Sequence, residues 1–193
     1  MGIPICLFTA SSNTLAPVYV DLARQFGTAL AQRGHSLVYG GGMRGLMGAA
    51  AEAAQENGGK VVSVIPEKLD RPGIALENPN EKIVTRDMGD RKATMEDLSE
   101  AFVVLPGGFG TFDELFQVLA KKQLCYHNKP IVLLDVDDFF KPFSQLAEHL
   151  VGLNFAREIY QQMYTIVDSV EAVFDYIDGY QPLDYDPFLK ERG

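Results

Sequence analysis

Three clusters in this sequence carry residue types that can act on a phosphorylated ligand. They are Gly40-Gly41-Gly42, Arg91-Lys92, and the run from Gly107 through Gly108, Phe109, Gly110, Thr111, Phe112 and Asp113 to Glu114. Each glycine run directly follows a short apolar stretch and precedes an amphipathic one. In that setting glycines let the backbone turn sharply and approach a ligand, while the following helix offers unpaired N–H groups and the positive end of its dipole. A phosphate suits such a place. Tight strand-to-helix turning alone accounts for an isolated glycine cluster about equally well. The first run, Gly40 to Gly48, lacks the G-x-G-x-x-G spacing of a dinucleotide fingerprint, and no Walker lysine follows it.

Two readings stand open for Glu114. Thr111-Phe112-Asp113-Glu114 has the form of a capping box, with Thr111 as N-cap and Glu114 at the third helical position. If a phosphate instead occupies the N–H groups of Gly108 to Thr111, Glu114 is free to face the sugar of a ligand. Arg91-Lys92 sharpens the question. A helix starting at Asp90 places both cations in its first turn, against the dipole, at a cost of a few tenths to about 1 kcal/mol each. A nearby anion explains that placement; Asp87 and Asp90 as local partners of an exposed pair are the structural alternative.

The elements that must position these residues read as strand–helix alternation. Strands are expected at 3–8, 36–39, 61–65, 101–105 and 131–134, with a short one possible at 82–85. Helical spacing runs from Leu15 to Leu30, from about Leu46 to Gln55, over 90–99, from Thr111 to about Leu124, over 140–150 and over 170–177. Residues 66–80 form a long loop able to cover a site, and the Pro- and Asp-rich tail after Gly179 is expected to pack irregularly. Near-continuous apolar strands alternating with helices predict an α/β fold, a parallel sheet flanked by helices on both faces, whose ligands bind beyond the carboxyl ends of the strands. Without a repeat or a break in composition, residues 1–193 read as a single domain.

Composition bounds the partners. Of 193 residues, 47% are hydrophobic and 22% charged, the range of a globular chain, and the formal charge is −9. That field repels nucleic-acid polymers and anionic membranes, yet one small anion can still bind where a few cations and N–H groups converge. No apolar stretch is long enough for a bilayer and no basic region precedes the first apolar run, so no membrane partner and a cytoplasmic location are expected. Cys6 and Cys125 make neither a disulfide framework nor a metal-ligand spacing and are expected to be buried, reduced thiols.

The motifs, taken together, resemble those of the LOG family of cytokinin-activating phosphoribohydrolases. Pro106 to Glu114 is similar to its P-G-G-x-G-T-x-x-E signature, and Tyr39 to Gly42 with Gly45-Leu46-Met47-Gly48 to its second signature. Met88 with Arg91-Lys92 is similar to M-x-x-R-K, and Gln123-Leu124 with His127 to Leu134 to Q-L-x-x-H-x-K-P. The likeness spans nearly the whole chain in order. It implies a Rossmann-like fold, a homodimer, and hydrolysis of the base–ribose bond of a purine nucleoside 5′-monophosphate, AMP or an N6-substituted AMP, to free base and ribose 5-phosphate. It places Arg91 and Glu114 at the family's catalytic positions. Ser11, Ser12, Gly42, Met88, Lys92, Gly107, Gly108, Phe109, Gly110 and Thr111 take substrate-binding positions, with no metal and no cofactor.

Glycosidic cleavage passes through an oxocarbenium-like sugar, which a carboxylate stabilises while orienting water. Arg91 stays cationic, so its role is to hold phosphate or sugar hydroxyls and to orient Glu114. Departures from the family pattern include Thr9-Ala10 before the serine pair, Gly89 in place of a histidine, Arg44 in place of an apolar residue, and Ala120 to Cys125. They bear on base preference and the dimer interface. The competing functions are a non-catalytic nucleotide-binding or carrier protein of the same fold, and a PLP-dependent lysine decarboxylase, for which no lysine has a recognisable context.

Overall fold

A computed structural model describes residues 2–188; residue 1 and residues 189–193 of the predicted domain lie outside the described residues. Seven strands form one sheet: β1 (Pro4–Phe8), β2 (Ser36–Tyr39), β3 (Lys60–Pro66), β4 (Glu81–Thr85), β5 (Ala101–Val104), β6 (Ile131–Leu134) and β7 (Thr165–Val167). Their order is β4-β3-β2-β1-β5-β6-β7 and every pairing is parallel. The chain therefore winds outward from β1 to one edge, returns beside β1 with β5, and winds to the other edge. The reversal opens a crevice beyond the carboxyl ends of β1 and β5, where α/β sheets take ligands.

Among the described residues six α-helices cover the sheet: α1 (Pro17–Gln32), α2 (Gly45–Glu56), α3 (Met88–Asp97), α4 (Phe109–Gln123), α5 (Lys141–Gly152) and α6 (Val170–Asp178). Strand side chains alternate between two cores. Ile5, Leu7 and Val103 meet α1, α2 and α6 on one face, while Cys6, Phe8 and Val104 meet α3, α4 and α5 on the other. The alanines of α2 let it lie close to α1, and Gly27 completes the contact. A Cβ built on Gly27 falls 2.2 Å from the Ala50 carbonyl oxygen, so only hydrogen fits there.

Three local expectations are corrected. Helix α3 begins at Met88, capped by the Asp87 side chain accepting from Asp90 N, so Arg91 and Lys92 lie beyond the first turn that a start at Asp90 implies. Helix α4 begins at Phe109 with Gly108 as its N-cap, because the glycines let the chain enter the helix three residues earlier. Thr111 is thereby an interior residue and the capping box does not form. Cys125 is exposed, with φ 57° just past the end of α4, whereas Cys6 is buried. Strand β7 has no counterpart in the expected elements; three residues on a sheet edge leave little periodicity to read.

The 66–80 loop contains a short 3-10 turn at Glu67–Leu69 and is tied to the first glycine run: Met43 N donates to Ile74 O and Leu76 N to Gly41 O. The tail as far as residue 188 is irregular, as expected. Asn128 fastens it by donating from Nδ2 to Leu183 O and accepting from Leu183 N at Oδ1. Among the described residues no helix is long and apolar enough to cross a membrane. Because the atom opposing Gly27 is backbone, Gly27→Ala must push α1 and α2 apart, and overpacking of this kind costs about 1–3 kcal/mol. A urea midpoint equal to that of the wild type would contradict this packing account.

Candidate active site

The second glycine loop is the open one. Helix α4 has no side-chain cap, and among the described residues no protein group accepts from the N–H of Gly108, Phe109, Gly110 or Thr111. Gly107 is a glycine for space. The Thr111 side chain folds back over it, with Oγ1 2.1 Å from where a Cβ would stand. Thr9 Oγ1 and Ala10 N both donate to Pro106 O, which stitches the loop after β1 to the loop after β5.

The first glycine loop differs. Gly45 N donates to Asn13 Oδ1 at 2.8 Å, and the N–H groups of Leu46 and Met47 both donate to Ala10 O. The N-terminus of α2 is thus capped by the loop after β1. That loop passes so close that Gly45, at φ 60°, has no room for a side chain: Ser11 C and Ser12 O lie 2.6 Å from its Cβ position. A phosphate seat was expected to be available at either glycine run. The structure leaves only the α4 end open, since protein groups already take the α2 donors.

Between these loops lies a cleft of about 520 Å³ at the sheet reversal, within the size range of small-molecule sites. Of the residues singled out in the sequence, Ser11, Ser12, Gly42, Met88, Arg91, Gly108, Gly110, Thr111 and Glu114 line it together. Lys92, Gly107 and Phe109 do not. Lys92 reaches away to Asp113 (2.8 Å), Gly107 sits beneath Thr111, and Phe109 is 98% exposed. Gly40 lines the cleft with the glycine run already singled out; sequence reasoning gave no site role to Arg44 before α2, Met47 in its first turn, or Ile65, Leu69 and Ile74 from β3 and the loop beyond. Arg44 was noticed only as a departure; its Nε donates to Gly73 O at 2.8 Å and tethers the long loop to the start of α2. The apolar wall of Leu69 and Ile74 carried no periodic signal, because irregular backbone places it.

At the floor, Arg91 Nη2 lies 3.2 Å from Glu114 Oε1, and both side chains are more than nine-tenths buried. Burial drives the Glu114 carboxyl up to about 7, against the downward pull of the Arg91 guanidinium and, more weakly, Lys92; Asp113 adds to the rise. That balance is informative. Desolvating two charges often costs more than their attraction returns, so a buried pair of this kind is poor evidence of a stabilising device and good evidence of a functional one. Arg91 Nη1 donates to Met88 Sδ at 3.7 Å, and among the described residues its buried Nε has no acceptor.

Further rungs hold α3 against α4. Lys92 pairs with Asp113, and the buried Glu96 carboxylate accepts from Gln117 and from Lys121. Lys129 Nζ donates to Glu96 O at 2.8 Å from the loop before β6. The exposed pairs are each worth under about 1 kcal/mol. Their collective effect is geometric, since they set the register in which Arg91 meets Glu114.

The other buried ionisable groups serve packing. His127 accepts from Lys129 N and faces Val118 O, and burial pushes it down to about 4. Lys122, which burial lowers to about 8, donates to Lys129 O, Met163 O and Tyr180 Oη, each at 2.8 Å. It stands eight residues beyond Glu114 on α4, about 12 Å along the helix, and does not line the cleft. Its three acceptors leave it no resemblance to a Schiff-base lysine.

Comparison with known proteins identifies the family. Residues 47–177 match the family model described as possible lysine decarboxylase. The rice protein (Oryza sativa subsp. japonica) named probable cytokinin riboside 5′-monophosphate phosphoribohydrolase LOGL2 is 36% identical over 178 residues, 92% of this chain and 73% of its own. Arabidopsis thaliana cytokinin riboside 5′-monophosphate phosphoribohydrolase LOG5 is 34% identical over 188 residues, 97% of this chain and 82% of its own. Among solved structures, the molybdenum cofactor binding protein of Rippkaea orientalis superposes with a TM-score of 0.68 at 23% identity, covering 92% of this chain and 96% of that one. The Moco carrier protein of Chlamydomonas reinhardtii does so with 0.68 at 22%, covering 92% and 96%. At that identity the structures speak to the fold alone. The sequence relatives go further: this chain belongs to the LOG family of phosphoribohydrolases.

Proposed function

We propose that this chain hydrolyses the N-glycosidic bond of AMP or an N6-substituted AMP, the nucleotide class of cytokinins, releasing free base and ribose 5-phosphate. One domain spanning residues 1–193 carries the activity, in the cytoplasm. The observation that carries the reading is a buried carboxylate–guanidinium pair beside an open helix N-terminus, in one cleft. The 5′-phosphate accepts from the N–H groups of Gly108 to Thr111 and from the Ser11 and Ser12 side of the cleft. The ribose then lies over Arg91 and Glu114. The base extends toward Met47, Leu69 and Ile74, whose apolar atoms suit a purine face and an alkyl substituent.

In this arrangement the ionised Glu114 stabilises positive charge at C1′ and accepts a proton from the attacking water. The C1′–N bond breaks with its electrons going to the base, which takes up a proton from solvent, a C1′–O bond forms, and Glu114 gives the water's proton back to solvent. Arg91 cannot serve as the acid at neutral pH; it holds the sugar–phosphate and aims the carboxylate. The family relationship also supports a homodimer. A second copy of this chain is expected to cover the apolar groove between α4 and α5, lined by Phe116, Phe143 and Leu146, where Phe116 and Leu146 are exposed.

Purified protein incubated with AMP or N6-isopentenyl-AMP should yield free base and ribose 5-phosphate. Glu114→Gln should lower the rate by at least about a thousandfold while remaining folded, as expected when a catalytic carboxylate is lost. Base release by that variant at the wild-type rate would return Glu114 to a structural role. Because Glu114 must be ionised to act, kcat/KM should rise with pH through about 7.

Stability should run the other way. The folded carboxyl holds its proton to higher pH than the unfolded one, so its contribution is present below the ordinary carboxylate range and is lost as pH rises through about 7. Between the ordinary carboxylate range and about pH 7 the melting temperature of the wild type should therefore fall while that of Glu114→Gln does not, and parallel pH profiles would count against the burial argument. Sedimentation equilibrium should give twice the chain mass, and Phe116→Asp with Leu146→Asp should give the monomer; an unchanged dimer would move the interface elsewhere.

A further inference from the structure

Gly40 stands directly after β2 and is the first residue of the triple-glycine run. Backbone geometry does not require glycine at this position. Gly41 and Gly45 adopt left-handed φ values of 75° and 60°, whereas Gly40 is not among the positive-φ residues. What singles it out is space: a Cβ on Gly40 would stand 1.6 Å from Nη2 and 2.6 Å from Cζ of Arg91, with Met47 Cε at 2.8 Å. The guanidinium lies in a notch that exists because residue 40 has no side chain.

Little else holds that guanidinium. Its polar contacts are Glu114 Oε1 at 3.2 Å and the weak acceptor Met88 Sδ at 3.7 Å, and among the described residues Nε has no acceptor. An arginine so lightly bonded and still more than nine-tenths buried takes its place from shape. We infer that Gly40 is a positioning residue, whose missing side chain seats the Arg91 guanidinium against Glu114 at the catalytic distance. This rests on the roles proposed above for Arg91 and Glu114.

The kind of collision makes the inference testable. At Gly27 and Gly48 an added Cβ would strike backbone, at 2.2 and 2.1 Å, and the fold itself would have to move. At Gly40 it strikes the tips of two flexible side chains. Gly40→Ala should therefore fold with wild-type stability and swing Arg91 out of its notch.

The test compares the wild type, Gly40→Ala, Arg91→Lys and the double variant on AMP, across pH, beside a titration of the Glu114 carboxyl by carbon NMR without substrate. The groups facing that carboxyl are Arg91, Lys92 and Asp113, together with the Cys6 thiol, which burial keeps neutral. For Gly40→Ala we expect kcat to fall about a hundredfold, the scale of an ångström-sized misplacement, with KM within a few-fold. The Glu114 titration and the acid limb of activity should both move to higher pH, because the cation that opposes protonation has withdrawn. The double variant should be no worse than Gly40→Ala alone. A Gly40→Ala protein that fails to fold would overturn the inference, as would one that folds with the wild-type Glu114 titration. Should the wild type release no base from AMP, the proposed function falls, and the NMR titration still decides the role of Gly40.

Discussion

The structure is organised around one unfavourable burial. Arg91 and Glu114 come from different helices, on the sheet face opposite α1 and α2, and meet at the floor of a cleft with both side chains more than nine-tenths buried. Their attraction does not restore Glu114 to the ordinary carboxylate range, so the pair draws on stability held elsewhere. That stability comes from two apolar cores either side of an all-parallel sheet, and from ionic rungs that keep α3 and α4 in register. Environments that push a carboxyl toward neutrality recur where enzymes carry out acid–base chemistry.

The same constraint explains why glycines crowd the carboxyl edge of the sheet, each for a different reason. Gly45 accommodates a passing loop and a left-handed turn, Gly107 the returning Thr111 side chain, and Gly40 a guanidinium. Seen only as letters they form one motif. In space they are separate clearances, and together they bring four loops within reach of a single small ligand.

Much of this could be read from the chain before its structure was known. The alternation of apolar runs and helical spacings gave the parallel sheet and its two cores, because burial on both faces leaves strands nearly without polar residues. Arg91 drew attention as a cation expected in a first helical turn and Glu114 fitted a capping box; the likeness to the LOG signatures is what put the two in one site. The starts of α3 and α4 were not legible, since Asp87 and Gly108 cap them through side-chain and backbone geometry that composition does not encode. Nor was the cleft's far wall, where Leu69, Ile74 and Arg44 are set by hydrogen bonds of an irregular loop. The capping of α2 by Asn13 and Ala10 was equally hidden, being a contact between segments thirty residues apart.

That capping decides where an anion can rest. A helix N-terminus attracts an anion through N–H groups that no protein acceptor already holds. Here one such end is already quenched by an asparagine amide and a main-chain oxygen. The two walls of the cleft are therefore unlike: the start of α4 keeps its donors unpaired, while the start of α2 has given its own to the loop after β1.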